Sequence, residues 1–242
     1  MNAIRLGEEI TLSGPPRNLT AIIPLDLARG TVVSISVTSA GQATIYRAVA
    51  RQIGIGNAEL RLRLPDHFAS GTYTGEVTLN GKPQAVFIEV EAVSRIRIDP
   101  RQTVVTAEPS STVQFTVTVT NGGNVLFEIP KADTLDLDDV AGQDRALGRT
   151  LRAPLEGDER RVDRLFEELR QTHGGEGRVT VRSGAGRLPP GESRVLSCVL
   201  DVPESAQSGR SYVGAWQLGS AAHLIVADIM VSERPTKARV TR

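Results

Sequence analysis

The chain has 242 residues, 40% hydrophobic and 23% charged, which suits two soluble globular domains and not a disordered or membrane-embedded chain. Its 28 Lys and Arg are balanced by 28 Asp and Glu, so no global field draws nucleic acid or anionic lipid. The single cysteine, Cys198, excludes an intramolecular disulfide.

At the N-terminus, residues 1–9 show no basic segment followed by an apolar core, and no apolar run approaches the length of a membrane span. The expected location is cytoplasmic, or exported as part of an assembly without a classical leader. Thr31 to Gly41 alternates with period two, which places Val33, Ile35 and Val37 on one buried face. Gly54-Ile55-Gly56 lacks the third glycine and the following helix that a dinucleotide site needs. Leu60, Leu62 and Leu64 then alternate with Arg61 and Arg63 up to Pro65, Gly71 leads into Tyr73, and a last strand runs from about Ala85 to Val93. Residues 1–93 read as one domain.

Residues 94–242 follow the same order of features. Thr112 to Gly123 alternates and ends in a small-residue turn like Thr31 to Gly41, with Val113, Phe115, Val117 and Val119 on its buried face. Leu196, Cys198, Leu200 and Val202 precede Pro203, then come Gly209 and Tyr212, and a last strand follows around Leu224 to Val231. Cys198 reads as a small buried apolar residue, not a catalytic thiol. Short alternating strands punctuated by Gly and Pro predict an all-β chain of two tandem sandwiches. Tyr73 and Tyr212 stand where a sandwich can pin a corner by sending a hydroxyl back to the backbone.

The copies differ by about fifty residues between Ile129 and Leu188, an insertion at about 130–187 that is too long for an idle loop. Within it, Leu155 to His173 reads as an amphipathic helix. Val162, Leu165, Phe166 and Leu169 fall at i, i+3, i+4 and i+7, and Gly174-Gly175 can terminate it. This stripe either covers its own sandwich or binds a partner protein or a second copy, and it is the candidate partner-binding face. Ahead of it, Asp133, Asp136, Asp138 and Asp139 read as a solvated acidic loop; they lack the order and the central Gly of a calcium-binding EF-hand loop.

The run Asn121-Gly122-Gly123-Asn124, then Leu188-Pro189-Pro190-Gly191-Glu192-Ser193, then Val202-Pro203 with Gly209 and Tyr212, resembles the immunoglobulin-like domain associated with bacterial α-galactosidases and found in envelope proteins. The likeness is clearest after residue 94 and weaker in the first domain, where the Pro-Gly-Glu-Ser turn is missing. It implies an immunoglobulin-like fold and an accessory role, and it brings no catalytic residues.

The three histidines, His67, His173 and His223, share no metal-ligand spacing, and no nucleophile elbow occurs. The expectation is a non-catalytic interaction or structural module, with no cofactor, no metal and no nucleic acid, in a larger assembly such as a cell surface, secretion machine or virus particle. A carbohydrate-binding accessory protein is the alternative, opposed by an aromatic content of 4%. A hydrolase with a cryptic site is the second alternative. The basic tail from Arg234 to Arg242 reads as a solvated end.

Overall fold

The computed structural model describes residues 10–23, 31–39, 42–79, 81–152, 154 and 160–231. The tail from Arg234 onward lies outside them. The chain is mostly β and divides into two compact units, one of residues 1–95 with 121–127 and 189–192, the other of 96–120, 128–188 and 193–242.

The first unit contains β1 (Ile10–Gly14), β2 (Leu19–Ile23), β3 (Thr31–Ser39), β4 (Gln42–Gly54), β5 (Asn57–Leu62), β6 (Gly71–Leu79) and β7 (Lys82–Val90). Two separate sheets are the expectation from sequence. Instead the strands form one closed ring in the order β1-β2-β5-β4-β3-β6-β7. The reason is β1, which pairs in parallel with β7 from Ile10↔Val86 to Gly14↔Val90 and touches β2 at Ser13↔Thr20, bridging the two ends. Alternation fills the interior with Val33, Ile35, Val37, Leu60, Leu62 and Leu64, all buried.

The second unit contains β8 (Ile96–Asp99), β9 (Gln102–Ala107), β10 (Thr112–Asn121), β11 (Phe127–Ile129) and β12 (Ala132–Asp139). Helices α1 (Gly142–Arg152) and α2 (Arg161–Arg170) follow, then β13 (His173–Ser183), β14 (Gly186–Leu188), β15 (Ser193–Asp201), β16 (Ser211–Leu218) and β17 (Ala221–Ile229). Eight strands form a sheet ordered β8-β10-β15-β13-β12-β16-β17-β9, while β11 and β14 pair separately.

The two strand orders are the same when β9, β10, β12, β13, β15, β16 and β17 are set against β1 to β7. In both units the first of these strands lies parallel to the last. This shifts the internal repeat by one strand relative to the sequence reading. Thr112–Asn121 corresponds to β2, not to Thr31–Ser39, and the counterpart of Thr31–Ser39 is β12. The misreading arises because β3 and β10 share alternation and a small-residue turn, whereas β12 is disguised by its aspartates. In consequence the helices occupy the β12–β13 connection, whose counterpart is the β3–β4 hairpin, where Ser39 already pairs with Gln42.

Both tyrosines sit at the start of the penultimate strand of their unit. The Tyr73 hydroxyl donates to the Ala69 carbonyl at 2.8 Å, and the Tyr212 hydroxyl accepts the Gln207 N–H at 2.9 Å. Tyr212 is fully buried and Tyr73 half-buried, so Tyr212 holds the drier of the two corners.

Candidate partner-docking site

The site begins at the end of β12. The sequence Asp133-Thr134-Leu135-Asp136-Leu137-Asp138-Asp139 is not a solvated loop: it is strand, with Leu135 and Leu137 buried and Thr134, Asp136 and Asp138 exposed. Period-two alternation points Asp136 and Asp138 away from the buried leucines and Asp139 inward with them. The side chain of Asp139 is fully enclosed. Its Oδ2 accepts from the guanidinium of Arg145 at 2.8 Å and of Arg210 at 3.2 Å, and its Oδ1 from the Ala141 N–H at 3.0 Å. One carboxylate thus joins the start of α1 to β12 and to the residue before β16. Among the described residues no group of three or more His, Cys, Asp or Glu is placed to hold a metal ion.

Helix α1 has no counterpart in the sequence reading. Gly142, Gly148 and Thr150 lower its propensity, and its apolar positions are few. Tertiary contacts compensate. Ala141 C=O accepts the Arg145 N–H, Asp144 lies in the first turn, Arg149 and Arg152 lie in the last, and Ala146 and Thr150 are buried.

Helix α2 carries the face singled out by periodicity, but it is shorter than Leu155 to His173. Residues 155–159 lie outside the described residues, and at the other end the helix stops at Arg170, where Gln171 N–H bonds Glu167 C=O. His173, Gly174 and Gly175 belong to β13 and do not terminate the helix. The last two glycines are required there by crowding: a Cβ on Gly174 would lie 2.4 Å from the Tyr212 ring, and one on Gly175 would lie on the Ser205 hydroxyl.

The packing partner of α2 is chiefly α1. Arginines make the link: Arg161 donates to Thr150 C=O at 3.0 Å, Arg164 to Pro154 C=O at 2.9 Å, and Arg149 pairs with Glu168 at 3.2 Å. No residue of α2 is buried. Leu165 and Leu169 are half-buried, while Val162 and Phe166 are 59% and 60% exposed. Across the connection Val140, Leu147 and Leu151 of the α1 segment, at i, i+7 and i+11, are exposed as well. The helical pair therefore presents apolar side chains to water from two elements.

The cysteine, the three histidines and the tryptophan lie in strands or turns. Cys198 is buried in β15, and burial pushes its thiol up to about 11, so it holds its proton at neutral pH. His67 is exposed in the turn after Pro65, and His173 faces Asp138 at 3.4 Å on the surface. His223 is buried, stacked on Phe115 and edge-on to Trp216, with Nδ1 2.9 Å from Pro100 C=O. Trp216 is equally buried and offers no exposed platform for a sugar ring.

Burial lowers the pKa of His223, against a smaller upward pull from the Pro100 carbonyl. The unfolded chain therefore takes up this proton first. The contribution of neutral His223 to stability is full above its ordinary value near pH 6.5 and is lost as pH falls below it. Melting temperature is expected to drop more steeply between pH 7.5 and 5 in the wild type than in His223→Gln, as followed by circular dichroism; parallel curves would refute the assignment.

Comparison with known proteins finds no matching family model and no matching curated protein. Among solved structures the chain is similar to a protein of unknown function from Porphyromonas gingivalis W83, at 12% identity and TM-score 0.29 over 91% of this chain and 96% of that one. It is similar to titin domains A168–A169 at 10% identity and TM-score 0.34, over 93% and 97% of the two chains. A PapD-like domain of human CEP192 aligns at 10% identity and TM-score 0.31, over 57% of this chain and 87% of that one. At these TM-scores the likenesses assign neither family nor function. No helix among the described residues is long and apolar enough to cross a membrane.

Proposed function

We propose that this chain is a non-catalytic docking module made of two immunoglobulin-like domains, residues 1–93 and 94–242, of the type associated with bacterial α-galactosidases and envelope proteins. The repeated strand order and the two tyrosine corners support the tandem reading. The α1–α2 pair is the partner-binding element, and Val162, Leu165, Phe166 and Leu169 engage a protein surface in a larger assembly. The observation that carries this reading is the exposure of Val162 and Phe166 on a helix none of whose residues is fully buried.

The test is the double substitution Val162→Asp and Phe166→Asp. Because both side chains already face water, unfolding free energy is expected to change by no more than about 0.5 kcal/mol. Assembly is expected to fail, because charge is forced into an apolar contact. The readout is the size of the species containing the chain in its native cell, by size exclusion with light scattering. A variant that runs with the wild type removes the helices from the interface.

A further inference from the structure

Apolar side chains also stand in water at the β4–β5 hairpin of the first unit. The strands join through Ile55 and Gly56, with Gly54 paired to Asn57. Gly56 adopts φ 75°, the left-handed conformation a tight turn demands of one residue. The position before it accepts most residues and in a solvated turn is ordinarily polar. Here it is isoleucine, 101% exposed. Ile53 beside it is 49% exposed, and a Cβ added to Gly54 or Gly56 would meet nothing within 4 Å, so the tip stands clear of its surroundings.

No charged residue occurs from 52 to 58. Behind this tip the charge is one-sided. Alternation turns Arg47, Val49 and Arg51 outward on β4 while Ala48 and Ala50 are buried, and Arg61 lies opposite Val49 on β5. The only carboxylate on the two strands, Glu59, is held by Arg61 through both oxygens at 3.1 and 3.0 Å. Arg47, Arg51 and Arg61 thus outnumber the one carboxylate, which is held by Arg61 and lies opposite Arg51, and the two strands carry an excess of two positive charges although the whole chain has net charge zero.

We infer that the β4–β5 hairpin docks on an anionic phospholipid bilayer, Ile53 and Ile55 entering the acyl boundary while Arg51 meets lipid phosphates and Arg47 and Arg61, farther back on the strands, add attraction to the charged surface. The dimensions agree. Interfacial segments sit about 5–10 Å deep, and at about 3.4 Å per residue Arg51 trails Ile53 by about 7 Å, so immersing the tip brings the guanidinium to headgroup level. The tip is convex and carries no aromatic side chain, so it lacks the pocket-filling groups that anchor protein interfaces; a bilayer requires only apolar bulk and complementary charge. This proposal is independent of the helical docking face.

Flotation of the full chain with vesicles tests it. The chain is expected to float with phosphatidylcholine vesicles containing phosphatidylglycerol, and at least tenfold less with pure phosphatidylcholine or in high salt. Ile53→Ser with Ile55→Ser is expected to weaken partition at least tenfold at unchanged melting, and Arg47→Glu with Arg51→Glu likewise. Should the double serine variant melt early, Ile55→Ser alone removes a fully exposed side chain and still must weaken partition. Absence of flotation, or flotation that survives the serine substitutions, overturns the proposal. Retention on polyglutamate without flotation also overturns it and assigns the hairpin to an acidic protein.

Discussion

Asp139→Ala is expected to destabilise the second unit by about 3 to 5 kcal/mol, because it removes one carboxylate and strands three donors. Arg210, only 14% exposed, and Arg145 both aim at the lost Oδ2, and the Ala141 N–H at the start of α1 loses Oδ1. A buried ion pair contributes modestly when intact, since desolvation offsets attraction, but breaking one side leaves an uncompensated charge in a poorly hydrated place. Asp138→Ala is the control. Its carboxylate is exposed and faces His173 across the surface, so the expected change lies within about 0.5 kcal/mol. Urea denaturation of the two variants measures the contrast, and equal shifts would show that Asp139 is not the junction described.

Gly174→Ala is expected to cost about 3 kcal/mol despite adding one methyl group. The added carbon would lie 2.4 and 2.5 Å from two ring atoms of Tyr212 and 2.9 Å from the Leu137 carbonyl oxygen. A flexible side chain could move aside. Tyr212 cannot, because it is fully buried and its hydroxyl is held by the Gln207 N–H, and the Leu137 oxygen belongs to a paired strand. Gly148→Ala in α1 gives the opposite expectation. Nothing lies within 4 Å of its Cβ position and alanine is the better helix former, so stability should rise by roughly 0.5 to 1 kcal/mol. Thermal melts of both variants check the pair; a neutral Gly174→Ala would contradict the packing of Tyr212 on β13.

These residues also show what the sequence discloses and what it hides. Period-two alternation is a local property, and it correctly places Val33, Ile35, Val37, Leu196, Cys198 and Leu200 in the cores. The two tyrosines are legible because recurrence at matched positions is visible along the chain. Closure of the first unit is not legible, since it depends on β1 meeting β7 across most of a domain. Asp139 shares the period-two face of Leu135 and Leu137, which shows once the segment is taken as strand; what the sequence hides is that Arg145 and Arg210 converge on it. The face of Val162, Leu165, Phe166 and Leu169 is found by its helical period, but its surroundings are not. The helix it belongs to is flanked by α1, whose glycines and threonine mask its period.

If the α1–α2 pair is the docking element proposed above, the strand order must be complete without it. Since Asp139 N–H bonds Thr172 C=O, these two residues already face each other across the base of the insertion, and residues 140–171 can be replaced by an Asn-Gly turn that suits a two-residue hairpin. The shortened chain is expected to unfold with the same cooperativity as the wild type, with Arg210 still paired to Asp139, and to be absent from the assembly that holds the wild type. Its cosedimentation with that assembly at wild-type levels, or failure to fold at all, would contradict the account.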